Sequence, residues 1–337
     1  MNIWIGVFLT IVAAVLNGNF ALPLKHNRKW SWENSWTLYS VVAFFLIPLG
    51  LAYLTNPHLS ETYRTLSRTE IMIPLLFGTG WGISQVLLGI SIDRVGMALT
   101  FAIVIGLSAT LGTLIPLITL HLDTILSIKG SVILAGIVIM SCGILFCAKA
   151  GEEREKQRAQ SLPNSSLRTS NYGAALLITI AAGALTPMLN YALAFGEPIL
   201  SHARRMGATP ATATYSVWVV ALLGGLPVNL LYCSYLLSRK RTWGLFAAKS
   251  NDWLGAILMA ILWMGSIALY GIATTHLGAL GTALGWGLFS IFVILAANLS
   301  GLVTGEWKDV GKRPMRNLGF GLGLLTIASV LIASSNH

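Results

Sequence analysis

Charge is scarce in this chain. Asp, Glu, Lys and Arg make up only 10% of its 337 residues, against about a quarter in an ordinary soluble domain. So few charges cannot coat a water-exposed surface, so lipid must cover much of the molecule. Cysteine is scarce too. Cys142, Cys147 and Cys233 lie inside apolar segments with no metal-ligand spacing around them, which argues against a disulfide framework or a metal site. There is no nucleotide-binding loop, metal-ligand cluster or nucleophile motif. No cofactor and no catalytic residue is therefore expected, and an enzyme reading finds no support. An integral membrane enzyme would need clustered His, Asp or Glu at one membrane face. The run 2–24 lacks a basic flank and a cleavage site, so it reads as a first spanning helix rather than a removed signal peptide. The net charge of +10 does not point to nucleic acid, because the basic residues sit in short gaps between apolar runs.

Those apolar runs make up most of the chain. Ten are long enough to cross a bilayer, at about 3–24, 36–55, 71–92, 95–121, 130–148, 172–195, 210–237, 253–274, 277–304 and 317–334. Residues 71–122 carry only Asp93 and Arg94 as charges, and residues 253–305 carry no Asp, Glu, Lys or Arg. Each stretch is too long for one helix. Each reads as a hairpin whose tight turn holds a glycine, Gly96 or Gly278.

An even number of crossings puts both termini on one side. Seventeen of the 22 lysines and arginines fall in loops after odd-numbered runs. Arg64, Arg68, Lys129, Arg204 and Arg205 fall after even-numbered ones. Basic loops stay cytoplasmic, so both termini are expected outside. The two hairpins also look like copies. At an offset of 182, Trp81 matches Trp263, Ser84 matches Ser266, Gly96 matches Gly278 and Thr100 matches Thr282. Five spans per copy is an odd number, so the second copy would lie upside down. The expected fold is an all-α integral membrane protein of two inverted five-helix repeats, 1–150 and 171–337, joined by a charged cytoplasmic linker, 151–170. Secondary transporters are built this way, with substrate sites near the midplane between repeats. The internal duplication argues against a channel.

The matched segments carry a family resemblance. Its pieces are Asn17-Gly-Asn-Phe-Ala-Leu-Pro-Leu-Lys25, Lys29-Trp-Ser-Trp-Glu33 and Phe77-Gly-Thr-Gly-Trp-Gly-Ile83. Gly96-Met97, Gly106-Leu107, Gly112-Thr-Leu-Ile-Pro116, Glu306-Trp307 and Gly311-Lys-Arg-Pro314 follow in order. In these pieces the chain resembles the bacterial L-rhamnose–proton symporters of the drug/metabolite transporter superfamily, from its first helix to its last. The resemblance implies ten helices, a multi-pass place in the bacterial inner membrane, and import of L-rhamnose or a related sugar with protons. Sugar, protons and the bilayer are then the expected partners. In one respect the chain departs from the family pattern. The family has an acidic residue in the ninth helix near Thr282, whereas this chain has no carboxylate in that helix interior. A carrier for another small polar solute, without proton coupling, is therefore the alternative reading.

A neutral sugar offers hydroxyl groups and apolar C–H faces. Its site needs neutral hydrogen-bonding side chains and aromatic platforms, because hydroxyls stripped of water must find partners. The intramembrane candidates are Asn17, Asn19, Trp81, Gln85, Asn190, Tyr215, Trp218, Trp263, Tyr270 and Trp286. Trp81 and Gln85 are four residues apart and share a helix face. Such Asn and Gln side chains also bond neighbouring helices in membrane proteins that bind no sugar. The histidines, His26, His58, His121, His202, His276 and His337, fall in loops or at helix ends. Intramembrane proton transfer usually uses a carboxylate or an imidazole. Here the candidates are Glu197, beside Pro198, and His276, which caps the ninth helix. Glu33 and Glu306 each adjoin a tryptophan and are expected to pair with Lys29, Lys308 or Arg313. Gly224-Gly-Leu-Pro227 marks an expected bend in the seventh helix.

Overall fold

A computed structural model describes residues 2–160, 172–308 and 310–335. Among the described residues, ten helices are long and apolar enough to cross a membrane. They are α1 Ile3–Lys25, α2 Trp32–Thr55, α3 Arg68–Ile92, α4 Leu99–Leu120, α5 Ile128–Gln157, α6 Tyr172–Arg205, α7 Pro210–Arg239, α8 Asp252–His276, α9 Gly281–Val303 and α10 Lys312–Ser334. Each contains or closely follows a run expected from hydropathy. The largest differences are at polar ends. The helix of α5 runs on to Gln160, so the linker expected at 151–170 begins as helix, and its residues 161–170 lie outside the described ones. His337 lies outside them as well.

Local chemistry accounts for several boundaries. At the start of α7, the Thr209 hydroxyl accepts from the Thr212 N–H at 3.1 Å, and the Thr209 N–H donates back to the Thr212 hydroxyl at 3.0 Å. Pro210 fills the first helical position, where its missing N–H costs nothing. The expected turn glycines both adopt left-handed backbone, Gly96 at φ 94° and Gly278 at φ 81°, a conformation that suits glycine. By contrast α6 is broken into Tyr172–Leu185, Met188–Ala194 and Glu197–Arg205. Pro187 sits in the first gap, where it removes a backbone donor. In α2 a π-helical turn spans Val42–Leu46. The bend expected at Gly224–Pro227 does not interrupt α7, which runs through Pro227 as one helix.

The chain forms two compact units, and each draws on both sequence halves. The first comprises Met1–Val86 and Met188–Leu277, and the second comprises Leu87–Pro187 and Gly278–His337. In the first unit, α7 and α8 are the most enclosed helices. Lipid tails are as apolar as leucine, so helices in a bilayer associate through close van der Waals packing of small residues. Gly78 and Gly82 form such a small-xxx-small pair on α3, and Ala221 and Gly225 form its partner on α7. Gly78 faces the Ala221 backbone, and Gly82 faces the Gly225 backbone. The Thr79 hydroxyl shares its hydrogen between the Leu75 carbonyl of its own helix at 2.9 Å and the Gly224 carbonyl of α7 at 3.2 Å. The expected bend residues, Gly224 and Gly225, are thus points of close approach instead.

Within the second unit, α4, α5, α9 and α10 share a core of Leu117, Ile133, Met140, Leu288, Ile291, Leu325 and Ile332. Gly143 and Gly321 bring the α5 and α10 backbones together. Trp286 lies over Gly112 of α4, where a Cβ would strike its indole.

Candidate functional site

Among the described residues of the first unit, buried aromatics concentrate around a stacked pair of indoles. Trp81 of α3 and Trp263 of α8 lie with ring centroids 5.3 Å apart and planes 24° apart. Both are buried, with 4% and 6% exposure. Phe44 sets its edge against Trp81 at 5.0 Å and lies 5.2 Å from Trp263. Tyr39 meets Phe44 at 5.4 Å and Trp263 at 6.1 Å. The aromatic series continues along α2 through Trp36, 4.8 Å from Tyr39, to the half-exposed Trp32, 4.9 Å from Trp36. Such edge-to-face and offset contacts follow the ring quadrupoles.

Buried polar groups lie on α2 and α8 and on α6 and α7 of the same unit. The Tyr270 hydroxyl of α8 donates to Asn190 Oδ1 of α6 at 2.6 Å, and both residues are fully buried. Asn190 stands in the first turn after the break at Pro187. Trp263, Ser266 and Tyr270 share one face of α8 by their spacing of three and four. The Ser266 hydroxyl, the Ser40 hydroxyl, the Tyr191 hydroxyl and the Trp218 indole N–H are buried without a hydrogen-bond partner. Orphaned polar atoms of this kind cost about 1–3 kcal/mol each. A ligand that supplied hydroxyl groups would relieve that cost.

The expected site residues are not all brought together. Trp81 and Trp263 meet, and so do Asn190 and Tyr270. Gln85 is half-buried one turn beyond Trp81, and its Nε2 donates to Ser84 Oγ at 3.3 Å. Tyr215 is buried in α7. Asn17 is half-buried in α1, whereas Asn19 spends its Nδ2 on the Val15 carbonyl of its own helix at 2.8 Å. Trp286 belongs to the second unit, where its indole N–H donates to the Ser108 carbonyl at 3.1 Å.

Sequence reasoning missed Tyr39 and Phe44. The π-helical turn of α2 orients Phe44, and nothing in the run Val-Ala-Phe-Phe-Leu announces that turn. Such turns recur at functional sites. Ser266 could have been found, because it is the offset partner of Ser84.

Three expectations about charged or titratable groups need correction. His276 closes α8, while the cap of α9 is Leu280. Glu33 pairs with Lys240, whose Nζ lies 3.1 Å from Oε2, and accepts from Thr242 Oγ1 at 2.8 Å. The Lys29 ammonium instead donates to the Lys249 carbonyl at 2.8 Å. Glu306 pairs with Arg154 at 3.5 Å, while Arg313 takes Glu153 at 3.2 Å. For both glutamates a partner distant in sequence displaces the near one. Glu197 is exposed and ion-paired with Arg204. Among the described residues no group of three His, Cys, Asp or Glu could hold a metal ion.

The chain is similar to known proteins along almost its whole length. The profile of the family described as L-rhamnose-proton symport protein (RhaT) matches residues 1–335. The L-rhamnose-proton symporter of Escherichia coli (strain K12 / DH10B) is 25% identical over 339 aligned positions, covering 98% of this chain and 97% of the relative. Those of Escherichia coli O1:K1 / APEC and Shigella dysenteriae serotype 1 (strain Sd197) are each 24% identical over the same shares. With ten membrane-spanning helices and a family match from end to end, the chain belongs to the L-rhamnose-proton symport protein family.

Proposed function

We propose that the protein is a secondary transporter of the bacterial inner membrane that imports L-rhamnose or a closely related deoxy-sugar together with protons. The class rests on the family match across residues 1–335. The single observation that carries the site is the buried Trp81–Trp263 stack. Indole faces suit the C–H face of a sugar, and the orphaned Ser266 hydroxyl of α8 and the Gln85 amide of α3 suit its hydroxyls. At 5.3 Å the two rings leave no room for a sugar between them. Binding would then part them or use their outer faces.

We also read the chain as two inverted five-helix repeats, 1–150 and 171–337, within the drug/metabolite transporter superfamily. Three pairs at the offset of 182 support this. Gly96 and Gly278 share a left-handed backbone, Ser84 and Ser266 are both buried, and Trp81 and Trp263 stack. Both termini face outward and the basic loops face the cytoplasm. Asn190 and Tyr270 would complete the site by holding the broken α6 against α8, because discontinuous helices mark transporter midplane sites. Asn17 and Tyr215 are proposed as outer contacts.

Purified protein in liposomes, offered labelled L-rhamnose with and without an inward proton gradient, tests the function. We expect concentrative uptake only with the gradient. No uptake in either condition would sink the sugar assignment. Uptake indifferent to the gradient would favour the uncoupled reading, which the missing carboxylate in α9 supports. Gln85→Ala should weaken sugar binding about 5- to 10-fold, the worth of one neutral hydrogen bond. Quenching of tryptophan fluorescence by sugar measures it, and unchanged affinity would remove Gln85 from the site.

A further inference from the structure

Among the described residues, only two carboxylates are buried, Glu33 at 0% exposure and Asp252 at 5%. Both hold the segment between α1 and α2 to the link between α7 and α8, but by different means. Asp252 accepts three backbone N–H groups, those of Arg28 at 3.0 Å and of Lys29 and Trp30 at 2.7 Å each. Peptide N–H groups are fixed by the backbone and do not titrate, so this cradle depends on no mobile side chain. Glu33 is held by side chains. Lys240 donates to one oxygen and Thr242 to the other. The Lys240 side chain is 52% exposed, so water is available to it as an alternative partner.

The turn that presents those two side chains is strained. Arg241, between them, has φ 57°. The Thr242 N–H reaches back to the Leu237 carbonyl at 2.9 Å, which makes this the left-handed C-terminal turn that glycine normally fills. A non-glycine residue there is held only when its surroundings overdetermine it. The two bonds to Glu33, with a third from Asn34 Nδ2 to the Thr242 carbonyl at 3.0 Å, add to the turn's own backbone bonds in holding it.

We infer that Glu33 is the coupling carboxylate of the symporter: it binds the proton, and in doing so it unlatches the Lys240–Thr242 turn from α2. This rests on the symport reading above. The proton comes from the aqueous phase and adds to a carboxylate oxygen. The group becomes neutral, the ammonium of Lys240 loses its counter-charge, and water competes for it. The other charged or titratable groups around Glu33 are accounted for. Asp252 sits in its cradle, the Lys29 ammonium is taken by the Lys249 carbonyl, and the Cys233 thiol of α7 is a hydrogen-bond partner of Thr37, one turn along α2 from Glu33. The link to substrate is mechanical. One helix carries Glu33 at its end and Trp36, Tyr39 and Phe44 beyond it, so a shift of the latch moves one wall of the aromatic cluster. Linkage then requires that sugar binding change the proton affinity of Glu33.

The test uses the full chain. Wild-type protein in detergent, lightly buffered with a pH dye, should take up close to one proton per sugar bound, and Glu33→Gln should take up none. In liposomes Glu33→Gln should still exchange labelled for unlabelled L-rhamnose but should no longer concentrate it, with partial rescue by Glu33→Asp. Lys240→Met, which removes the counter-charge at a half-exposed position, should raise the pH of half-maximal driven uptake by about one to three units. That variant carries the test if Glu33→Gln does not fold. An unchanged pH profile in Lys240→Met, or concentrative uptake by Glu33→Gln, would overturn the inference. A wild-type protein that moves no rhamnose would instead remove the symport reading, and this inference with it.

Discussion

Replacing Gly78 by alanine should cost about 3 kcal/mol of stability, the upper part of the range for overfilling a packed interior. A Cβ at this position would sit 2.8 Å from the Ala221 Cα and closer still to its carbonyl. The three atoms nearest to it are all backbone, so no rotamer change relieves the clash and α3 must back away from α7. That movement breaks the bond from Thr79 to the Gly224 carbonyl and pulls Trp81 off its neighbours. Two other glycines provide the comparison. Gly50 has open space where its Cβ would be, so Gly50→Ala should gain about 0.5–1 kcal/mol from helix propensity. At Gly80 the obstructing atoms belong to the Met188 side chain, which can bend aside, so its cost should fall between the two. Thermal unfolding of monodisperse protein in one detergent ranks the three. If Gly78→Ala melts with Gly50→Ala, the contact of α3 with α7 is not as close as described.

The spans and their turns were legible because the bilayer imposes a length and glycine a backbone conformation. Hydropathy places all ten helices, and the two polar hairpin turns place Gly96 and Gly278. What hydropathy cannot read is how a long apolar run is subdivided. Residues 172–195 read as one span, yet Pro187 divides it, and the chain passes there from one compact unit to the other. Nor does a small-xxx-small pair in sequence name its partner. Gly78 and Gly82 could serve any neighbouring helix, and only packing pairs them with Ala221 and Gly225.

Legibility of the site follows the same division. Residue type, with the match at an offset of 182 for the two tryptophans, singles out Trp81, Trp263, Asn190 and Tyr270, because few polar or amphipathic side chains lie in the spans. The pairings among them are tertiary facts. Charged partners were misjudged for a physical reason. Glu33 has Lys29 four residues away, which favours a local pair, but the fold gives that lysine a carbonyl and brings Lys240 from 207 positions away. Phe44 was illegible altogether, since one π-helical turn rotates everything beyond it relative to a regular helix.

Trp81→Ala and Trp263→Ala should each abolish measurable rhamnose uptake, and each should cost about 3–5 kcal/mol of stability as a large side chain leaves a packed interior. The two effects must be separated. Phenylalanine at either position keeps an aromatic face while losing part of its area, so Trp81→Phe and Trp263→Phe should fold and bind sugar weakly. Because the rings touch, the alanine double variant should be less destabilised than the two singles together, by about 0.5–1.5 kcal/mol. Unfolding midpoints measure that coupling, and simple additivity would mean the stack contributes only buried area. Uptake supplies the functional half. If the two indoles are equivalent members of inverted repeats flanking one sugar, the two phenylalanine variants should lose affinity to a similar degree. A loss confined to Trp81 would leave Trp263 as packing and place the sugar on the α3 side alone.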